Sequence, residues 1–194
     1  MTLRLRALEQ RDRPCMHRWE NDQSAWVYSD NIAPLSERQV ADYIANYDAD
    51  PFRAGQLRLV LSDDDDAALG LLDLYDISAM HAHAFVGIYI DPDHRLQGLA
   101  QEGLKLLCDY AFRTLGLRTL CALVLPDNAA SERLFASSGL SSPAQCLVGA
   151  AVAWAFLTLT STSSLPLRQT KRDPEPFIPY KKHMYGRKTH NPRF

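Results

Sequence analysis

The segment Asp91-Pro92-Asp93-His94-Arg95-Leu96-Gln97-Gly98-Leu99-Ala100 constrains this chain most, because it joins a strand to a helix through a glycine-bearing turn. Upstream, Val86-Gly87-Ile88-Tyr89-Ile90 is rich in β-branched and aromatic residues, as a buried strand is. Downstream, Ala100, Leu104, Leu107, Cys108, Ala111 and Leu115 recur at helical spacing, which predicts a helix over 99–115 with one apolar face. A glycine just before such a helix lets main-chain N–H groups approach a ligand that a side chain would hold off. The helix N-terminus adds partial positive charge, so strand, turn and helix together make an anion site suited to a pyrophosphate.

A second segment keeps register with the first. Leu117–Leu125 reads as a strand, and Pro126-Asp127-Asn128-Ala129-Ala130-Ser131-Glu132-Arg133-Leu134-Phe135-Ala136-Ser137-Ser138-Gly139-Leu140 follows it. Asn128 also reads as a helix N-cap, a position asparagine favours. The spacing Arg95-x-x-Gly98-x-Ala100 resembles the R/Q-x-x-G-x-G/A signature of the GNAT superfamily, the acetyl-CoA-dependent N-acetyltransferases. The second segment resembles that family's N-x-x-S/A-x-x-L-Y/F-x-x-x-G-F block, with Leu140 for the usual Phe. The resemblance runs from residue 3 to about 140. Leu3-Arg4-Leu5-Arg6-Ala7-Leu8-Glu9 and Arg18-Trp19-Glu20-Asn21-Asp22 look closest to the spermidine/spermine (diamine) acetyltransferase branch.

The resemblance implies an α/β (α+β) GNAT fold: a mixed, mostly antiparallel sheet, flanked by helices and splayed between its fourth and fifth strands, here 84–91 and 117–125. It implies acetyl-CoA as co-substrate, with Arg95, Leu96, Gln97, Gly98, Leu99 and Ala100 on the pyrophosphate. Tyr89 and Ile90 would pair with the pantetheine arm, and Asn128 and Phe135 would flank the sulfur end. The implied activity is acyl transfer to a primary amine of a small cationic acceptor such as a polyamine.

Two departures bear on the chemistry. The family often carries a proton-accepting Glu on the fourth strand, where this chain has Phe85. The nearest alternatives are Tyr75, Asp73, Asp76, His81 and His83. Of these, Tyr75 and Asp76 are the candidate catalytic residues, and Asp73 with Glu20 would hold the cationic substrate. Phe135 stands where many members have a Tyr that protonates the leaving thiolate. A thiol of pKa roughly 8.5 leaving at pH 7 without an acid costs about 2 kcal/mol, which slows turnover without forbidding it. Two rival functions follow: acetylation of a protein N-terminus, which needs an open groove, and a catalytically weak acetyl-CoA-binding module, motivated by Phe85 and Phe135.

Around these motifs, Leu3–Ala7 reads as a first strand, and a helix runs to about Trp19 with Asp12 as N-cap and Pro14 in its first turn. Residues 20–34 read as a loop, and Ser36 with Gln39 as a capping box for a helix over 37–47. Strands Gln56–Ser62 and Ala68–Asp76 flank Asp63-Asp64-Asp65-Asp66, a hairpin tip or an acidic patch for cations. A loop over 77–83 precedes the fourth strand.

Residues 1–142 carry 13 basic against 21 acidic residues, a net −8, whereas 143–194 carry 8 against 2, a net +6. An acidic body attracts cationic substrates and disfavours nucleic acid and anionic membranes. Cys15, Cys108, Cys121 and Cys146 lack C-x-x-C spacing, which argues against zinc and against a disulfide framework, so no metal is expected. Cys108 and Cys121 read as core thiols. The first residues show no secretory pattern, and a reducing cytoplasm fits.

The domain organisation read from the sequence is an acetyltransferase unit over 1–142, an apolar uncharged segment over 143–167 in place of the usual closing strands, and a basic Pro-rich tail over 168–194 expected to be poorly ordered. The apolar run Cys146–Leu159 is short of the ~20 residues that span a bilayer. Nothing past Leu140 matches the family's closing D-V-x-L-Y-x-L strand. A changed reading frame past about residue 142 and a strand pair over 145–162 are the two accounts. Related enzymes assemble through those strands, and a homo-oligomer is the partner state this leaves open.

Overall fold

The computed structural model describes residues 2–29, 32–125 and 128–138, and the backbone of 145–147 and 153–160. Strands β1 (Arg4–Ala7), β2 (Gln56–Ser62), β3 (Ala68–Ser78), β4 (His83–Ile90), β5 (Thr119–Val124), β6 (Gln145–Leu147) and β7 (Ala153–Thr160) form one sheet, ordered β1-β2-β3-β4-β5-β7-β6. Every neighbouring pair is antiparallel except β4–β5. That mixed sheet flanked by helices is the fold class the sequence implies. β6 and β7 occupy the range of the strand-pair account; β7 pairs with β5 through Thr119↔Thr160 to Val124↔Ala155. The expected disorder of 168–194 falls outside the described residues.

Helices α1 (Arg13–Glu20), α2 (Gln23–Trp26), α3 (Glu37–Ala45), α4 (Pro51–Ala54), α5 (Leu99–Asp109) and α6 (Ala129–Ser137) complete the described elements, with a 3-10 turn at Gln10–Asp12 and another at Pro92–His94. α5 lays its apolar stripe on one sheet face, where Leu104 and Leu107 meet Leu61, Leu72 and Leu74 in the main core. Gly103 permits that approach, since a Cβ there would stand 3.2 Å from Leu72 Cδ2 and 3.3 Å from Leu61 Cδ2. The helix predicted over 99–115 is regular only to Asp109. Its last turn widens to i→i−5 bonding, Leu115 N–H donating to Tyr110 O at 3.2 Å.

The opposite face is covered from the N-terminal side. Met16 of α1 packs with Leu35, Val40 and Ile44, while Trp19 packs on Val60 and Leu71. Ser36 and Gln39 make the expected capping box, but α3 ends at Ala45 and leaves Tyr47 beyond it. Asp12 sits at the N-cap position of α1 without capping through its side chain. Its carboxylate takes the Glu9 N–H at 2.9 Å and the Arg6 guanidinium at 2.7 and 2.8 Å, a stronger demand than a helix end makes.

Two short helices stand where the sequence reading had none. Asp22 accepts the Ser24 N–H at 3.0 Å and starts α2 within the expected loop. Asp50 accepts from Phe52 and Arg53 to start α4. The four-aspartate run is a turn: Asp63 Oδ1 accepts the N–H of Asp65 and of Ala67, and Asp66 pairs with Arg4, Arg6 and Arg11.

Candidate active site

β4 and β5 run together only at His83↔Thr119, Ala84↔Leu120 and Phe85↔Cys121. Beyond Phe85 they diverge, leaving the β5-facing edge of β4 over 86–90 without a strand partner among the described residues. The gap is a cavity of about 840 Å³ lined by Val86–Ile90, Leu123, Leu125 and the two helices that follow these strands. Main-chain donors and acceptors along such an edge can pair with an extended ligand as an added strand does.

At the mouth of the gap stands the glycine turn. Gly98, at φ 78°, is the N-cap of α5, and a Cβ built on it meets nothing within 4 Å. No acceptor among the described residues takes the N–H groups of Leu96, Gln97, Gly98, Leu99 or Ala100. These are orphan donors at a helix start with open space before them, which is the donor set a diphosphate needs. Leu96 lines the cavity in the left-handed region, at φ 64°. Gln97 is exposed and does not line the cavity, so only its main chain is placed to contribute.

Arg95 behaves differently from its neighbours. Its Nε–H donates to Ile90 O at 3.0 Å, its guanidinium lies 5.4 Å from the Tyr89 ring centroid, and Nη2 stands 3.7 Å from Asp22. Tyr89 in turn donates its hydroxyl to Asp22 Oδ2 at 2.9 Å, and burial together with that bond pushes the phenol well above its usual range. The start of α2 is thus tied to the end of β4. Asp91 makes a second tie: its buried carboxylate accepts Trp19 Nε1–H at 2.8 Å and Asp93 N–H at 3.1 Å, and it pairs with Arg18.

Inside the cavity, the wall on the α1 side is an acid pair held by one arginine. Arg58, 3% exposed, donates from Nε and Nη2 to the two oxygens of Asp73 at 2.8 and 2.9 Å, and from Nη1 to Glu20 Oε1 at 2.7 Å. Its main-chain N–H donates to the Tyr47 hydroxyl, and its guanidinium lies 5.7 Å from the Tyr43 ring centroid. Two carboxylates against one guanidinium leave a net −1 on this wall, suited to a cation.

The sequence-predicted residues therefore divide. Tyr89, Ile90, Arg95, Leu96, Gly98, Leu99, Ala100, Asn128 and Phe135 line one cavity with Glu20, Asp73 and Tyr75. Asn128 also caps α6, accepting the Ser131 N–H at 3.1 Å, as its N-cap reading expects. Asp73 and Glu20 are both buried, and Arg58 binds both. Asp76 is a correction: it sits in the bulge between Tyr75 and Ser78 at φ 48°, exposed and outside the cavity lining, so it is not placed to act there. His81 and His83 stack with ring centroids 6.0 Å apart at the closed end of the β4–β5 pairing, also outside the lining. Arg58 was missed, although a charged residue in the apolar strand Leu57–Leu61 was a legible signal.

A sequence profile of the acetyltransferase (GNAT) domain matches residues 2–141. The spermidine N(1)-acetyltransferase of Escherichia coli (strain K12) is 29% identical over 140 residues, covering 72% of this chain and 73% of that protein. The crystal structure of spermidine N-acetyltransferase from Vibrio cholerae in complex with CoA and spermine has a TM-score of 0.70 at 22% identity, covering 81% of this chain and 95% of that one. A dodecameric structure of the same Vibrio cholerae enzyme gives 0.63 at 22% identity, with 81% and 93% covered. At these identities the structural likeness is one of fold. With the profile spanning most of the chain and the glycine turn at the head of a split sheet, this protein belongs to the GNAT family of acetyltransferases.

Proposed function

We propose that this protein transfers acetyl from acetyl-CoA to a primary amine of a small cationic acceptor such as a polyamine. The observation that carries the reading is the row of acceptor-less N–H groups over 96–100 at one end of a cavity whose wall holds Glu20 and Asp73 around Arg58. Acetyl-CoA supplies an activated thioester; the chain's own residues would bind and orient it. The main chain of Leu96–Ala100 holds the diphosphate, and the free edge of β4 at Tyr89 and Ile90 orients the arm. Asn128 and Phe135 flank the end where acetyl is delivered. The acid pair draws the cationic acceptor toward that end.

The reacting nitrogen must be neutral, and an alkyl amine of pKa near 10.4 is neutral in only about one molecule in 2,500 at pH 7. Phe85 cannot take its proton, and Tyr75, which lines the cavity, is the candidate on hand to pass one to solvent. The acyltransferase unit is 1–142. An apolar uncharged segment over 143–167 and a basic Pro-rich tail over 168–194 follow it in the sequence. The scattered cysteines favour a reducing cytoplasm, and the dodecameric relative favours a homo-oligomer. No described helix is long and apolar enough to cross a membrane.

The test is calorimetry with acetyl-CoA followed by CoA release across an amine panel, with spermidine competing against a peptide N-terminus. Binding at micromolar levels with spermidine-dependent release is expected; release driven by the peptide alone would redirect the acceptor assignment. Phe85 and Phe135 favour a second reading, a binding module without turnover. Acetyl-CoA raising Tm while no amine releases CoA would decide for it.

A further inference from the structure

The 3-10 turn Pro92–His94 is built around Asp91. Asp91 Oδ1 accepts the Asp93 N–H at 3.1 Å, and the His94 N–H donates to Asp91 O at 2.9 Å. These bonds hold the His94 ring half-buried in the cavity wall, beside Arg95, Leu96 and Gly98. Its two nitrogens have opposite surroundings. Nδ1 is shut away from solvent with no hydrogen-bond partner among the described residues. The Asp91 carboxylate is committed elsewhere, Oδ2 to Trp19 and Arg18 and Oδ1 to Asp93. Nε2 is neither shut away nor bonded to any described residue, so it is the open nitrogen of a ring that lines the cavity. A neutral imidazole carries one hydrogen, and a buried N–H without an acceptor is rarer than a buried bare acceptor. The hydrogen therefore belongs on Nε2, which makes the open nitrogen a donor.

We propose that His94 is a side-chain ligand of the cofactor diphosphate, its Nε2–H donating to a phosphate oxygen beside the main-chain row. The inference rests on the cofactor half of the reading above and not on the identity of the acceptor. The acceptor-less N–H groups of 96–100 begin two residues further on. Arg95, between them, is bonded to Ile90 O and stands 3.7 Å from Asp22, so its charge is partly balanced inside the protein. A hydrogen bond to an anionic oxygen is stronger than one between neutral groups, and no described residue competes for the His94 donor. The bare Nδ1 follows from the same placement, since a ring that offers Nε2 to the cavity turns its other nitrogen to the wall. An unsatisfied buried nitrogen adds nothing to stability. A phenyl ring in its place removes both that nitrogen and the donor, so binding falls while the ligand-free fold loses nothing.

The experiment is calorimetric titration of the full chain with CoA and with dephospho-CoA, comparing wild type, His94→Gln, His94→Asn and His94→Phe, beside urea unfolding of each without ligand. Gln carries an amide N–H near the place of Nε2, and Asn carries one near that of Nδ1. His94→Gln is expected to stay within about threefold of wild type for both nucleotides, whereas His94→Asn and His94→Phe weaken both about tenfold. Ligand-free His94→Phe is expected to unfold at a urea concentration no lower than wild type does. Long-range proton–nitrogen NMR spectra of ligand-free wild type at about pH 8.5, where an ordinary imidazole is neutral, are expected to place the His94 hydrogen on Nε2. Four results overturn the assignment: binding unchanged in His94→Phe, a loss with CoA that is absent with dephospho-CoA and so belongs to the 3′-phosphate, a His94 hydrogen on Nδ1, or a ligand-free His94→Phe less stable than wild type. Wild type that binds neither nucleotide sinks the cofactor reading as well. Wild type that binds both yet releases no CoA from acetyl-CoA with any amine sinks acyl transfer and leaves the His94 contact standing.

Discussion

At the scale of single residues, the site separates positions whose backbone matters from those whose side chain does. Gly98 is of the first kind: φ 78° places it in the region where an L side chain costs about 1–2 kcal/mol, yet nothing stands within 4 Å of a Cβ there. Gly98→Glu should therefore fold. Its carboxylate would stand before the orphan N–H groups and compete with a diphosphate for them, so CoA affinity should fall by more than about tenfold, read by calorimetry. Phe135 is of the second kind. It is buried, lines the cavity and carries no proton. Phe135→Tyr supplies an acid for the thiolate, and kcat at pH 7 should rise by about tenfold, with the gain fading as the pH passes roughly 8.5 and the thiolate leaves unaided. A pH profile of kcat for the two proteins checks this.

Elements are positioned by a few buried polar ties, and the most consequential joins the end of β4 to α1. Asp91, 2% exposed, gathers Trp19 Nε1–H, Asp93 N–H and Arg18 just before the glycine turn. Burial alone would push its carboxyl up, but these partners together outweigh it and hold it below the usual range. A group depressed in the folded state adds stability above its unfolded pKa of about 3.9, and that stability is lost as the pH falls through the folded value. Asp91→Asn should thus cost about 1–3 kcal/mol at pH 7, with the gap to wild type narrowing below about pH 4, measured by urea unfolding at a series of pH values. The periodic elements were legible because burial imposes period: β2 was read with its observed ends, and α5 by its stripe of Leu104 and Leu107. Asp12 takes the N-cap position it was read into but gives its carboxylate elsewhere, because capping is a local rule and Arg6 is a stronger partner brought in by β1. The glycine turn was legible because what it presents, a positive-φ glycine at a helix start, belongs to the main chain. Arg58 with Glu20 and Asp73 was not, since three charges from α1, β2 and β3 meet only once the sheet has formed. Phe85, facing Tyr75 where the resemblance implies a proton acceptor, is a departure that sequence and structure report alike.

For the whole molecule the governing quantity is the field of an unevenly charged chain. Residues 1–142 carry a net −8, and all of the +6 beyond them lies in 168–194, since 134–167 hold no charged residue. The two co-substrates proposed here have opposite signs, so the acidic body attracts a polyamine and repels a nucleotide thioester. Such attraction acts over about 10 Å at 0.1 M salt and about 3 Å at 1 M. Raising NaCl should therefore raise KM for spermidine severalfold while KM for acetyl-CoA stays level or falls. Ending the chain after residue 167 takes the net charge from −2 to −8 and leaves Glu20, Arg58, Asp73 and the glycine turn in place. KM for spermidine at low salt should then fall below that of the full chain, with the two converging near 1 M. Steady-state kinetics of both chains over a salt series measures it, and a salt-independent KM in either would mean that the acceptor is selected by contacts inside the cavity and not by the charge of the body around it.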